Sequence, residues 1–84
     1  MQKVSIYIPV YNGEKTIKEV IDSVKSQSFS FDEVIVINDC STDNTEEILK
    51  TFPEIKIINN KNNKGLSYCR NIAINETQNE IIAA

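Results

Sequence analysis

Apolar and polar positions alternate at the start of the chain. Val4, Ile6 and Ile8 fall at period two with Ser5 and Tyr7 between them, which predicts a strand over Lys3 to Pro9, ended by the proline. The period then lengthens: Ile17, Val20, Ile21 and Val24 form one helical stripe, predicting a helix from about Glu14 to Gln27. This helix is entered through the Asn12-Gly13 turn, with Glu14 placed to favour the positive end of its dipole. Val34 to Ile37 is an unbroken β-branched run, expected of a central strand covered on both faces of a parallel sheet. Asp43 and Glu46 are compatible with a capping box ahead of a short second helix that carries Ile48, Leu49 and Phe52 and is stopped by Pro53. Ile55 to Ile58 reads as a third strand, at an edge because Lys56 is tolerated, and Asn59 to Lys64 as loop. Leu66, Cys69, Ile72 and Ala73 share the face of a third helix, and Glu80 to Ala84 begins a fourth strand.

The order is therefore βαβαβαβ. The intervals between strands, about 24, 17 and 21 residues, allow right-handed helical crossovers between parallel strands. The expected fold class is α/β, a three-layer Rossmann-like half domain with a four-stranded parallel sheet and helices on both faces. Such sheets bind ligands outside the carboxyl ends of the strands, where strand order reverses. Polar clusters stand at those ends: Tyr11-Asn12, Asn38-Asp39 and Asn59 to Lys64.

Composition narrows the chemistry. Eighty-four residues make a single domain, 1–84, with a small core. Nine basic residues against twelve carboxylates give a net charge of −3 and no basic stripe, so nucleic acid is not expected as a partner. The absence of histidine removes histidine acid/base chemistry and the commonest zinc ligand. Cys40 and Cys69 lack Cys-x-x-Cys spacing and read as free thiols in a reducing compartment. With no apolar run of roughly 18 residues and no signal-peptide plan at Met1 to Asn12, the expected location is the cytoplasm. The turn Pro9-Val10-Tyr11-Asn12-Gly13-Glu14 fits neither a dinucleotide fingerprint nor a P-loop.

Three segments in order carry a resemblance. Val4-Ser5-Ile6-Tyr7-Ile8-Pro9-Val10-Tyr11-Asn12 is similar to the opening strand and turn of glycosyltransferase family 2, which has the GT-A fold. Val36-Ile37-Asn38-Asp39-Cys40-Ser41-Thr42-Asp43 resembles that family's second-strand motif, and Asn63-Lys64-Gly65-Leu66-Ser67-Tyr68-Cys69-Arg70-Asn71 its N-x-G-x-x-x-A-R-N segment. Cys69 stands where the family usually has Ala, and Cys40 where Gly is frequent. The resemblance implies sheet order 3-2-1-4 and a nucleotide site for UDP or a UDP-sugar. In it Asp39 accepts a hydrogen bond from the uracil ring, Pro9, Val10 and Tyr11 line the base pocket, and Arg70 approaches the nucleotide. Asp39 suits uracil chemically, because a carboxylate accepts from the imide N–H but cannot donate, and cytosine lacks that donor. Tyr11 offers a flat surface for the base.

Asn12, Asn38, Ser41, Asp43, Asn63 and Gly65 are expected to support these loops, with Ser41, Thr42 and Asp43 capping the second helix. Asn63 and Gly65 suit left-handed backbone. The family's D-x-D motif, which holds Mg²⁺ or Mn²⁺ in the complete enzyme, and its catalytic base have no counterpart before Ala84. The chain is accordingly expected to be a truncated nucleotide-recognition portion of an inverting transferase, without a metal or turnover of its own. The alternative is a non-catalytic binding module, or one completed by a partner or a second copy at the edge of strand four. In the complete enzyme, membrane-peripheral attachment is compatible with this reading.

Overall fold

The computed structural model describes residues 3–26, 32–77 and 79–83. Its elements are β1 (Val4–Val10), α1 (Ile17–Lys25), β2 (Glu33–Asn38), α2 (Thr45–Leu49), β3 (Lys56–Asn59), α3 (Leu66–Glu76) and β4 (Glu80–Ala83). All pairings are parallel, in the order β3-β2-β1-β4, so β3 is an edge and β1 and β2 are central. The expected fold class and strand order are both present. The expected helix end at Gln27 and strand end at Ala84 fall outside the described residues.

Two apolar layers hold the sheet. On one face, Ile6, Ile8 and Val36 pack with Ile17, Ile21 and Val24 of α1 and with Leu49, Phe52 and Ile55. On the other, Tyr7, Ile35 and Ile37 pack with Cys69 and Ala73 of α3. β-Branched side chains on both faces of β2 are what a doubly covered parallel strand requires. Ser5 also faces inward and is fully buried; its hydroxyl is satisfied by Glu33 at 3.0 Å and by the Asn79 amide at 2.9 Å.

Several boundaries depart from the sequence reading for identifiable reasons. Pro9 does not end β1, which runs on to Val10. Val10 turns its carbonyl to β2, accepting from Asp39 N–H, while Lys3 turns its carbonyl to β4, accepting from Glu80 N–H. Backbone groups alternate between neighbours along a parallel strand, so Pro9 faces the β4 side, beyond the last pair Tyr7↔Ala83, and breaks no bond to β2. Helix α1 starts at Ile17, because residues 14–16 form a turn closed by Thr16 N–H and Ile17 N–H on the Gly13 carbonyl. Helix α2 stops at Leu49, before Pro53 can act, and buried Phe52 follows it. The capping box does not form: Asp43 accepts the N–H of Thr45, while Glu46 lies 3.8 Å from Lys50. Val20 and Leu66, assigned to buried stripes, are exposed, Leu66 by 74%.

Candidate functional site

Order reverses at β1, whose neighbours β2 and β4 are reached by crossovers on opposite faces of the sheet, and a cleft opens beyond the strand ends there. It is lined by Pro9 and Val10 from β1, Tyr11 just after it, Asp39 just after β2, Asn63 and Gly65 from the β3–α3 segment, and Leu66 and Cys69 from α3. Its volume of about 180 Å³ suits one planar ring, being below the roughly 300–1,000 Å³ of pockets that enclose drug-sized ligands. Pro9, Val10, Tyr11, Asp39, Asn63 and Gly65 are thus brought together. Tyr11 stands at the lip, 52% exposed.

Asp39 is the polar floor. The residue is only 5% exposed, and burial by itself raises its pKa. The donors around it outweigh that cost and hold the carboxyl below the usual carboxylate range. Oδ1 accepts the Asn60 amide at 2.8 Å and Lys64 N–H at 2.8 Å, and Oδ2 accepts Gly65 N–H at 2.8 Å. A carboxylate has about four acceptor positions, so these three N–H donors leave one on Oδ2; the Cys69 thiol is a further, weak donor to the carboxylate. Gly65 meets this demand with φ 85 and ψ 173, a backbone region that is essentially glycine's alone.

The same carboxylate explains the thiol beneath it. Burial pushes the Cys69 pKa up and the negative charge of Asp39 adds to the rise, so Cys69 is an apolar wall of the cleft rather than a nucleophile. It is buried against Tyr7, Ile35 and Ile37, holding α3 on the sheet.

The supporting residues do more than cap α2. Ser41 Oγ accepts Asn12 N–H at 2.9 Å, Thr45 Oγ1 accepts Gly13 N–H at 2.9 Å, and Asp43 Oδ2 accepts Glu14 N–H at 3.2 Å. In return Asn12 Oδ1 accepts Thr42 N–H at 2.7 Å. Three consecutive amides after β1 are therefore held by the loop after β2 and the first residue of α2, directly beyond Tyr11. Asn12 and Cys40 reach this arrangement with φ 51 and 64. The family pattern's frequent Gly at position 40 fits that conformation, and Cys40 adopts it with its thiol donating to the Lys61 carbonyl at 3.3 Å. Asn38, buried, spans β2 and β3 by donating to Asn59 Oδ1 at 3.0 Å and accepting Ser41 N–H at 3.1 Å.

Arg70 is not part of the cleft lining; it is exposed on α3, one turn beyond Leu66 on the same stripe, and makes no salt bridge among the described residues. Asn60, Thr45 and Leu66 are contributors the sequence reading did not single out. Buried Thr45 had no polar-periodic signal to mark it, and Asn60 lay inside a polar loop run. Among the described residues no three His, Cys, Asp or Glu side chains gather as a metal set, and Asp39 is the one carboxylate lining the cleft. No helix there is long and apolar enough to cross a membrane.

Comparison with known proteins places this geometry. The family model described as glycosyl transferase family 2 matches residues 5–84. The putative glycosyltransferase EpsE of Bacillus subtilis is 38% identical over 86 residues, covering 96% of this chain and 31% of EpsE. The crystal structure of Staphylococcus aureus TarS 1-349 in complex with UDP-GlcNAc superposes with a TM-score of 0.87 at 33% identity, over 99% of this chain and 26% of that one. A mannosyltransferase from Pyrobaculum calidifontis, solved with GDP-Man and Mn²⁺, gives a TM-score of 0.81 at 25% identity, over 94% of this chain and 26% of that one. The chain spans 11% of the length of GlyA of Streptococcus pneumoniae and 34% of that of WfaP of Escherichia coli, so about a third or less of such relatives.

Proposed function

The chain belongs to glycosyl transferase family 2, and from that premise we propose that its cleft seats the base of a nucleotide-sugar donor, uracil in UDP or a UDP-sugar. It would serve as the recognition part of an enzyme that moves the sugar to an acceptor hydroxyl. The observation that carries this reading is the remaining acceptor position on Asp39 Oδ2 at the floor of a ring-sized cleft. Uracil presents an imide N–H between two carbonyls, which matches an acceptor flanked by backbone. Cytosine has no such proton, and the mismatch leaves a buried charge facing a lone pair. Tyr11 at the lip is placed to cover the ring, and TarS, solved with UDP and with UDP-GlcNAc, supports the choice of base. Guanine also carries a ring N–H, so GDP is the informative competitor.

On this reading Arg70 acts on the phosphate side, one helical turn from the cleft, as a planar, permanently charged donor. Asp39 holds the base and moves no proton, since its donors keep it ionised. The family's divalent ion, Mg²⁺ or Mn²⁺, would neutralise the departing diphosphate in the complete enzyme; the described residues offer it no carboxylate set. The 84 residues are accordingly proposed to bind a nucleotide without turning it over, in the cytoplasm or at a membrane periphery. Isothermal titration of UDP, GDP and CDP against the parent and Tyr11→Ala tests the site, because an exposed Tyr11 can be removed without disturbing the core. UDP is expected to bind most tightly and to lose roughly tenfold on removal of the ring. Equal binding of UDP and CDP would reject the assignment.

A second reading rests on a different observation. Leu66, Tyr68 and Ile74 are exposed on α3, and Ile82, which pairs with Ile6 and so lies on the face packed by α1, leaves apolar surface exposed on edge strand β4. That surface fits a module completed by further polypeptide or by a second copy. Size-exclusion chromatography of the 84-residue chain decides between a clean monomer, against self-completion, and concentration-dependent association, in its favour.

A further inference from the structure

We propose that Asn60 is a specificity-positioning residue: its side-chain amide orients the Asp39 carboxylate so that Oδ2, and not Oδ1, meets the base. The inference deepens the nucleotide reading above and rests on it.

The geometry is direct. Asn60 is fixed from behind by its own N–H, which donates to the Asn38 carbonyl at 2.9 Å as the β2–β3 ladder ends. Its side-chain nitrogen then reaches Asp39 Oδ1 at 2.8 Å and Cys69 Sγ at 3.7 Å. The amide orientation follows from chemistry, since an ionised carboxylate only accepts and the amide must present its nitrogen. With Lys64 N–H also on Oδ1, both acceptor positions of that oxygen are filled, whereas among the N–H donors Oδ2 carries only Gly65.

The carboxylate therefore cannot rotate to offer Oδ1 without breaking two bonds, one of them to a side chain that a substitution can remove. Lys64 and Gly65 act through backbone and would survive side-chain changes, which leaves Asn60 as the one adjustable donor among the three. Without it, Asp39 retains its charge but gains freedom about its final torsion. A looser acceptor still attracts a donor and distinguishes less sharply between bases that do and do not supply one.

The test compares the affinity ratio of UDP over CDP in the parent, Asn60→Ala and Asn60→Asp by isothermal titration, with thermal melting in parallel. The parent is expected to prefer UDP by roughly tenfold or more, the value of one well-made charge-assisted bond. Asn60→Ala should lower that ratio several-fold. Asn60→Asp, equal in size but unable to donate at neutral pH, should lower it further.

A general loosening of the loop would reduce both affinities and the melting temperature together while leaving the ratio intact, and that result overturns the positioning role. A parent that shows no preference for UDP overturns the nucleotide reading itself, and this inference with it. Should either variant fail to fold, nitrogen-15 NMR of the parent supplies an independent readout. The Asn60 side-chain amide resonances should shift on adding UDP and stay in place on adding CDP at equal occupancy; identical shifts would overturn the proposal.

Discussion

Thr45 Oγ1 accepts the N–H of Gly13 at 2.9 Å, joining two residues 32 positions apart, and the same threonine is fully buried. One hydroxyl thereby ties the crossover after β1 to the start of α2, and it also donates to the Asp43 carboxylate. Thr45→Val keeps the shape and removes both bonds. It should cost about 1–3 kcal/mol, the penalty of leaving a part-buried N–H unpaired. Urea denaturation, read as a lowered midpoint at unchanged slope, measures it.

The two glycines should fail for different reasons. A Cβ at Gly13 would lie 2.6 Å from Val10 Cγ2, a stiff branched side chain that lines the cleft and packs on the core. Gly13→Ala is therefore an overpacking change of about 1–3 kcal/mol, and adding Val10→Ala should recover part of the loss. At Gly65 the space is open but φ is +85, so Gly65→Ala strains the backbone by about 1–3 kcal/mol and no neighbouring truncation should rescue it. Chemical denaturation of the two singles and the Val10 double mutant separates the cases.

Acid should reveal the Asp39 clamp. Its carboxyl is held below the usual range by the donors that outweigh its burial, so the folded state binds this proton less readily than the unfolded chain does. The stability it contributes is present above about pH 4 and is lost as pH falls through the lower folded value. Asp39→Asn should cost about 1.5–3 kcal/mol at neutral pH, with the difference from the parent closing in strong acid. Denaturant titrations from about pH 7 down to about pH 2 would show that closure; a difference that stays constant would exclude the clamp.

The cysteines should separate by accessibility. Cys40 is half-buried and Cys69 is fully buried, with burial and the Asp39 charge both opposing its ionisation. In native protein at neutral pH, a thiol reagent should modify one cysteine quickly, identified as Cys40 by peptide mass, and the second only in denaturant. Because the folded state resists forming the Cys69 thiolate, stability should hold below the ordinary thiol range and decline as pH rises above it. Rapid modification of Cys69 in the folded protein would mean that α3 opens readily from the sheet.

Much of this architecture was legible along the chain because parallel sheets write themselves in β-branched runs. Val34 to Ile37 could hardly be anything but a doubly covered strand, and the placement of β3 at an edge followed from Lys56. Pro9 was misread because the rule that proline ends a strand depends on which neighbour its missing N–H faces, and that is a tertiary fact. Leu66 was misread because helical periodicity says which residues share a face, not whether the first turn overhangs a cleft.

At the site, Asp39 stood out by its position after a buried strand. Its partners did not. Two of its three N–H bonds come from backbone, which no side-chain pattern reports, and the third comes from Asn60 in a run where asparagine is ordinary. Thr45 illustrates the same limit, since its role arises only when two loops far apart in the chain meet. Arg70 was expected at the nucleotide from the family resemblance, and it lies outside the cleft lining, exposed on α3.

Five of the amides that follow β1 are already bonded within the chain. In many sheets of this layout the turn into the first helix is a nest of bare N–H groups that welcomes phosphate. Here the amides of Asn12, Gly13 and Glu14 point at Ser41, Thr45 and Asp43, and those of Thr16 and Ile17 at the Gly13 carbonyl. An incoming anion would meet the Asp43 carboxylate at that corner, so the molecule carries its own counterfeit of the phosphate there.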